Sequence, residues 1–496
     1  GRNVNLAFSS GITTVGNILN PNLPTSAGAN LTVLAGAATA ANYAAAAADL
    51  VSTTNTAADL QALSALPSST AADFSSRISS FLTTVVEPST AYEWEFQYFV
   101  RSQVATQTGK DPGALTFAQA ESFFKDFSPA QQGQWVSVLG EFIQASAQNQ
   151  QALLNYVANA TGNADLTVSQ AFADFLNLST VAQRPFVDQV YFGELGASGT
   201  DENVLPGVGF SRGDAAIDAL FPGSRTGTPG ANGGPYAGDI SLVFSRIYTL
   251  SGGDVSLLAP GGFLNVGLAN PPAVLSARSP STLGIVAEGA GNVSIYSQGD
   301  VDVNASRVFT LGGGNILIWS NEGSVDAGRG AKAAVSAPPP QVLISSDGTV
   351  TLDFTGAATG SGIRTIQTDP SVPLGNVELI APVGTVNAGD AGIGAAGNLT
   401  IAAQHVLGLD NIQVGGTSTG VPAQVSSLGA TLAAASSAGS SSTQAATESV
   451  SAGDQKQAAA PLAQSALGWL DVFVIGLGEE ECKPEDIECL KRQKHP

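Results

Sequence analysis

Two cysteines, two histidines and a few aspartates are the side chains of this 496-residue chain best placed to do chemistry, and their spacing limits what that chemistry is. Cys482 and Cys489 lie within the last fifteen residues, and with no other cysteine in the chain they pair with each other or with nothing. His405 and His495 are the only imidazoles, so a histidine-based triad has to use one of them, and neither lies near a nucleophile motif. His405 falls inside a β-prone run and reads as a packed or turn histidine. Cys482, Cys489 and His495 are too few for a comfortable metal site. Asp239, Asp254, Asp300 and Asp326 suggest calcium loops, but the Gly-Gly-x-Gly-x-Asp nonapeptide of β-rolls is missing, and turn chemistry accounts for them. Gly312-Gly313-Gly314 lacks the Lys-Ser/Thr of a phosphate loop. No catalytic, cofactor-binding or metal residue is assigned, and the chain reads as no enzyme.

Arg212-Gly213-Asp214 spells the tripeptide that integrins recognise, a motif short enough to arise by chance. The following Ala215-Ala216-Ile217 makes the site read as a helix start with Asp214 as its cap. It stays a weak candidate for integrin binding.

The composition narrows the partners. Nineteen Lys and Arg against forty Asp and Glu give a formal net charge of −21, which disfavours nucleic acid, because phosphate binding needs clustered cations. Only 12% of residues are charged, aromatics are 7%, and Gly reaches 57 residues, the balance of a repetitive β protein with a Ser-, Thr- and Asn-rich surface. The absence of Met and the start at Gly1 read as the end of a longer polypeptide. The longest apolar run, Trp469 to Leu477, is broken by Asp471 and falls short of the roughly 20 residues of a membrane-spanning helix.

These residues need elements to carry them. Asn3–Phe8 and Leu31–Leu34 are short β-prone runs between turns, so residues 1–36 read as the last rungs of a shaft that began earlier. Residues 37–200 are rich in helix formers. Ser128-Pro129 opens a helix whose face carries Trp135, Val138, Leu139, Phe142 and Ile143, with two further helical stretches at Thr167–Leu178 and Thr180–Phe192. Trp94 and Trp135 are expected in the core of this bundle. Residues 201–237 read as a Gly/Pro-rich connection. From 238 to 416 one unit recurs: Gly, then Asp, Asn, Ser or Thr, then an apolar residue and an alternating strand, as in Gly253-Asp254-Val255, Gly291-Asn292-Val293, Gly314-Asn315-Ile316, Gly348-Thr349-Val350 and Gly397-Asn398-Leu399. Such units cannot bury a face alone and must stack. The fold class is therefore mainly β: a right-handed parallel β-helix with an α-helical domain or insertion and a disordered C-terminal tether, with a hairpin-rich β-sandwich as the alternative. Residues 417–466 form the Ser/Ala-rich tether, too poor in apolar residues to offset chain entropy. Residues 467–496 hold an apolar strand and the two cysteines.

Gly238 to Pro422 resembles the C-terminal region of filamentous-haemagglutinin-type exoproteins (TpsA-like adhesins) of two-partner, or type V, secretion. The phrases that carry the likeness include Leu258-Ala259-Pro260-Gly261-Gly262, Asn265-Val266-Gly267-Leu268-Ala269-Asn270-Pro271-Pro272, Ser306 to Gly314, Asp326-Ala327-Gly328-Arg329-Gly330 and Asn411 to Gly416. The resemblance implies a cell-surface adhesin acting in cell–cell, biofilm-matrix or host attachment. Its partners would be an outer-membrane TpsB-type barrel transporter and an adhesion target, whether glycan, protein or another copy. Some members end in a cysteine-bounded loop retained in the periplasm. Cys482 and Cys489 look like that device, an intramolecular disulfide hook. Trp469, Val472, Phe473, Val474 and Ile475 would then contact the pore partner. The competing reading is a carbohydrate-active β-helix enzyme, a polysaccharide lyase or hydrolase. An acidic or Arg-rich groove would favour that enzyme, and a smooth shaft the adhesin.

Overall fold

Ten Gly-Asx/Ser/Thr units lie between 238 and 416, and nine of them open a strand at their apolar residue, among them Val255–Ala259, Val293–Ser297, Ile316–Ser320, Val377–Asn387 and Leu399–Leu407. The computed structural model describes residues 3–16, 28–36, 41–67, 70–226, 236–268, 282–330, 341–344, 350–353, 359–368 and 370–422. All belong to one unit, Gly1–Gln424. Most of the expected tether 417–466, the apolar strand with Trp469, Val472, Phe473, Val474 and Ile475, and the Cys482/Cys489 pair lie outside the described residues.

The strands stack as successive turns of a coil. Val293–Ser297, Val301–Asp302 and Arg307–Leu311 make one turn. Ile316–Ser320, Val325–Asp326 and Gly362–Ile366 make the next. Each strand pairs parallel with its counterpart, Val293 with Ile316, Val301 with Val325 and Arg307 with Gly362. Two ladders merge into one twelve-stranded sheet because Val377–Asn387 runs on past its corner, pairing with Ile316–Ser320 at its start and with Val325–Asp326 at its end. The third ladder is a separate seven-stranded sheet. Every pairing among the described strands is parallel except Gln341–Ile344 with Val350–Asp353, so an antiparallel sandwich does not describe this molecule. That exception corrects the reading of Gly348-Thr349-Val350 as a rung. Five residues separate its two strands, and a parallel return needs a crossover of roughly a dozen or more.

Register explains the core. Val255, Val293, Ile316, Val377 and Leu399 face one another in one inward column, and Val33, Leu257, Ile295, Ile318, Leu379 and Ile401 in the next. All join a single cluster of buried residues. Burying one such side chain is worth about 1.5–3 kcal/mol, and stacking gives each rung the surface it lacks alone. At the corner, Gly314 is required by close approach: a Cβ there would lie 1.9 Å from the Gly291 carbonyl oxygen of the rung before.

The same register shows where the helices enter. Val4 pairs directly with Ile240, and Leu31 with Val255, so the rungs before and after the helical segment are neighbours. Nine described α-helices between Tyr43 and Leu220 thus form an insertion at one corner of the coil. The longest, Pro129–Thr161, starts as expected, with Ser128 and Gln131 in a capping box and Pro129 in the first turn. Trp135 is fully buried, whereas Trp94 is half-buried and stacks on Tyr98 with centroids 5.5 Å apart.

Two sequence expectations change. Helix Thr180–Val204 continues beyond Gly193, and helix Ser211–Leu220 occupies the supposed connection. Their glycines serve packing, not flexibility: a Cβ on Gly199 would lie 2.4 Å from Ile380 Cδ1, and one on Gly213 would lie 2.5 Å from Trp319 Cη2. His405, read as packed or in a turn, is exposed in mid-strand opposite Thr385.

Ile316→Asp or Val377→Asp would place an unpaired carboxylate in an inner column where both residues are 0% exposed. Each is expected to lower stability by several kcal/mol, on the order of 3–5. Denaturant unfolding of the two variants against the parent is the measurement, and parent-like midpoints in both would refute the column assignment.

Candidate functional site

Outward positions of the first ladder alternate between two columns. Leu34, Leu258, Tyr296, Trp319, Ile380 and Ala402 form one, and Thr32, Ser256, Ser294, Leu317 and Glu378 the other. The first is apolar because the insertion lies on it. Tyr191 and Phe221 pack on Tyr296, and Phe210 meets Trp319 edge-on at 5.8 Å. The second column is left as the floor of a groove of about 930 Å³, roofed by helix Thr180–Val204.

Four charged groups line the groove: Arg184 and Asp188 from the helix, Glu378 from the floor, and Asp254 at the corner of a rung, where it accepts the Asn292 N–H. Asp188 accepts a hydrogen bond from Thr32 Oγ1 at 2.9 Å through Oδ2, while its buried Oδ1 has no partner. Burial pushes its carboxyl up to about 6. Glu378 is also raised by burial. Gly196 makes room for it, since a Cβ there would lie 2.3 Å from Glu378 Oε2. Arg184 donates from Nε to Tyr43 Oη at 3.1 Å and covers that ring. A trough with one desolvated acid in its floor and one in its roof suits a ligand rich in hydroxyl or amino donors. It is also the acidic groove that the enzyme reading asks for. Sequence reasoning missed these residues. In a chain with few charges, the Arg184/Asp188 pair four apart on a helix was the available signal.

Arg212-Gly213-Asp214 is not presented to a partner. Arg212 is 1% exposed, with Nε and Nη2 donating to Glu194 at 2.6 and 3.0 Å and Nη1 to Asp201 at 2.8 Å. Gly213 N–H donates to Ser198 Oγ at 2.9 Å. Asp214 pairs with Arg225 at 2.7 Å and sits in the first turn of a helix whose cap is Phe210, so it is not the cap the sequence suggested. The tripeptide ties the last helix to its neighbours, and an integrin could not reach its guanidinium.

The aspartates considered for calcium are used by the stack. Asp239, Asp254 and Asp300 accept the N–H groups of Phe263, Asn292 and Ser324 on the next rung, and Asp326 that of Gly328. Among the described residues, no group of three or more His, Cys, Asp or Glu is placed to hold a metal ion.

Beside the Arg212 cluster lie two buried acids, Asp49 and Glu95, whose four carboxyl oxygens have no hydrogen-bond partner. Burial raises both well above the ordinary carboxyl range, and the neighbouring acids Glu194 for Asp49 and Asp49 for Glu95 add to it.

These features define a class: a parallel-stranded coil carrying a helical insertion docked on one outer face. Residues 313–423, about a fifth of the chain, match the model of a family described as filamentous haemagglutinin family outer membrane protein. The match covers the later coils and falls almost wholly within the stretch whose sequence resembles such proteins. No curated protein and no solved structure was found to match the chain. No helix among the described residues is long and apolar enough to cross a membrane.

Because the folded-state pKa of Asp49 and Glu95 lies above the unfolded value, the folded chain holds these protons more tightly. The resulting stability is complete below the ordinary carboxyl pKa of about 4 and is lost as pH rises through the raised folded values. Asp49→Asn with Glu95→Gln is expected to remove that loss, raising the melting temperature by a larger margin at pH 8 than at pH 5. A margin independent of pH would show that the pair is not the titrating element.

Proposed function

We propose that this chain is an exported cell-surface adhesin, built on a right-handed parallel β-helix and displayed at the outer membrane. The observation that carries the reading is the filamentous haemagglutinin family match over 313–423, on coils that stack in parallel register from Val4 to Thr419. Right-handedness follows the general preference of parallel connections. A stack of rungs suits a shaft, since each rung needs only its neighbours and length costs no new core. In this reading an outer-membrane TpsB-type barrel exports the chain, and the helical insertion or the groove beneath it meets the adhesion target. A disulfide between Cys482 and Cys489 then holds the C-terminus on the periplasmic side. A ring of eight residues closed by a covalent bond is bulkier than the single extended strand a filled pore passes. The chain is not an enzyme on this reading and needs no cofactor.

Changing Cys482 or Cys489 to Ser is expected to move the protein from cells to culture medium with the coil unaltered. Retention of both single variants under conditions that retain the parent would end the hook proposal.

The groove favours a second reading, a carbohydrate-active enzyme, because Asp188 and Glu378 are two desolvated carboxyls in one trough. Turnover of a polysaccharide by the parent but not by Asp188→Asn would establish it. Binding without turnover assigns the groove to adhesion.

A further inference from the structure

Arg364 stands on the outer face of the seven-stranded ladder. It pairs with Phe309 on one side and Gly394 on the other, and Gln413 follows one strand beyond. It is only 8% exposed, yet among the described residues its one hydrogen bond is from Nη1 to the neutral Oε1 of Gln413 at 3.1 Å. Arg212, more deeply buried, has Glu194 and Asp201, and half-buried Arg225 has Asp214, whereas Arg364 has a neutral amide. Burial without an opposing acid pulls Arg364 below its ordinary pKa. A largely buried guanidinium whose remaining donors reach the surface without an acid against them is paired when an anion arrives.

The space for one is present. A cleft of about 320 Å³ opens beside the guanidinium, lined by Gln367, Gly394, Gln413 and Gly415 as well as Arg364. Gly394 leaves room for the guanidinium, since a Cβ there would lie 2.9 Å from Arg364 Cζ and Nε.

We propose that this cleft binds the carboxylate of an acidic sugar residue, gripped by the fork of Arg364 with Gln413 alongside. A planar guanidinium matches a carboxylate with two parallel N–H bonds, and a cleft of this volume is at the small end of ligand sites, the size of one residue. A saccharide is the occupant because two side-chain amides, Gln367 and Gln413, line the cleft with the guanidinium and suit sugar hydroxyls. The strands of Arg364 and Gly394 are paired on both sides, while that of Gln413 ends the described ladder and pairs only with Gly394's strand, so a peptide added at that edge is the competing occupant. Binding at this cleft is independent of the export and retention proposed above.

The test is calorimetric titration of the full chain with digalacturonate, its dimethyl ester and a short Asp-containing peptide. The acid is expected to bind, with the ester and the peptide weaker by about tenfold or more, the scale of a charged hydrogen bond. Arg364→Gln should abolish binding, and Arg364→Lys, which keeps the charge but loses the fork, should weaken it by about tenfold. Arg364 pairs with no described carboxylate, so the Gln variant should fold; should it not, Gly394→Ala, whose Cβ would press on Arg364 Cζ and Nε and displace the guanidinium, gives the same readout. Equal binding of acid and ester, full binding by Arg364→Gln, or no binding by the parent overturns the site. Tighter binding of the peptide overturns its assignment to a saccharide.

Discussion

The structure depends on one repeated hydrogen bond, from an Asx side chain on one rung to a backbone N–H on the next. Asn30 Oδ1 accepts from Asp254, Asp254 from Asn292, Asn292 from Asn315, Asn315 from Asn376, Asn376 from Asn398 and Asn398 from Thr417, all at 2.8–3.0 Å. Each bond is worth only about 1 kcal/mol net, but it is made at the same corner of every turn. A slip of one residue would break the ladder and turn every inward Val, Ile and Leu outward. The ladder and the inner columns therefore enforce one register between them.

That register makes the helical insertion a passenger and a structural partner at once. The rungs on either side of it are already paired, so the long excursion from the end of one strand at Leu34 to the start of the next at Ile240 leaves the stack intact. Closing a longer loop costs little extra, about 0.6 kcal/mol per doubling. Yet the insertion is not free of the shaft. Trp319, Tyr296 and Leu258 are buried in the same cluster as Tyr191, Phe221 and Leu220. Gly199 and Gly213 allow the backbones close enough for that contact. Removing the helices would bare an apolar stripe, so the two parts stabilise each other.

Much of this was legible in the residues. The Gly-Asx-apolar units located the strands, and Ser128-Pro129 located a helix start. What they could not show was register, because the rungs are unequal: the step from Ile316 to its partner Val377 is more than twice as long as the step from Val293 to Ile316. Without register the Asx residues look like local turn formers, and their bonds to the next rung are hidden. Glycine misled in the other direction. Gly193, Gly196 and Gly199 look like a helix end by propensity, at a cost near 1 kcal/mol each in a helix, but the helix continues, and Gly196 and Gly199 let it lie close against Leu317 and Ile380. The groove was illegible for the same reason, since Asp188 and Glu378 belong to distant parts of the chain and meet only when helix and ladder are docked.

A stack of this kind confines variation to its outside. Inner columns accept only apolar side chains of similar size, and the corner positions are committed to Gly and Asx, so a residue can acquire a new role only on an outward column or in a corner insertion. Glu378 and Arg364 illustrate it. Each replaces, on an otherwise conventional rung, a residue whose neighbours in the same column are uncharged: Leu317 and Thr400 beside Glu378, Phe309 and Gly394 beside Arg364. A single charge on such a column is half-desolvated by the rungs above and below before any ligand arrives. It therefore carries an electrostatic bias toward a partner of opposite charge or matching donors that the same side chain on an open surface would lack. The scaffold thereby turns one outward substitution into a site, without altering the register that holds it.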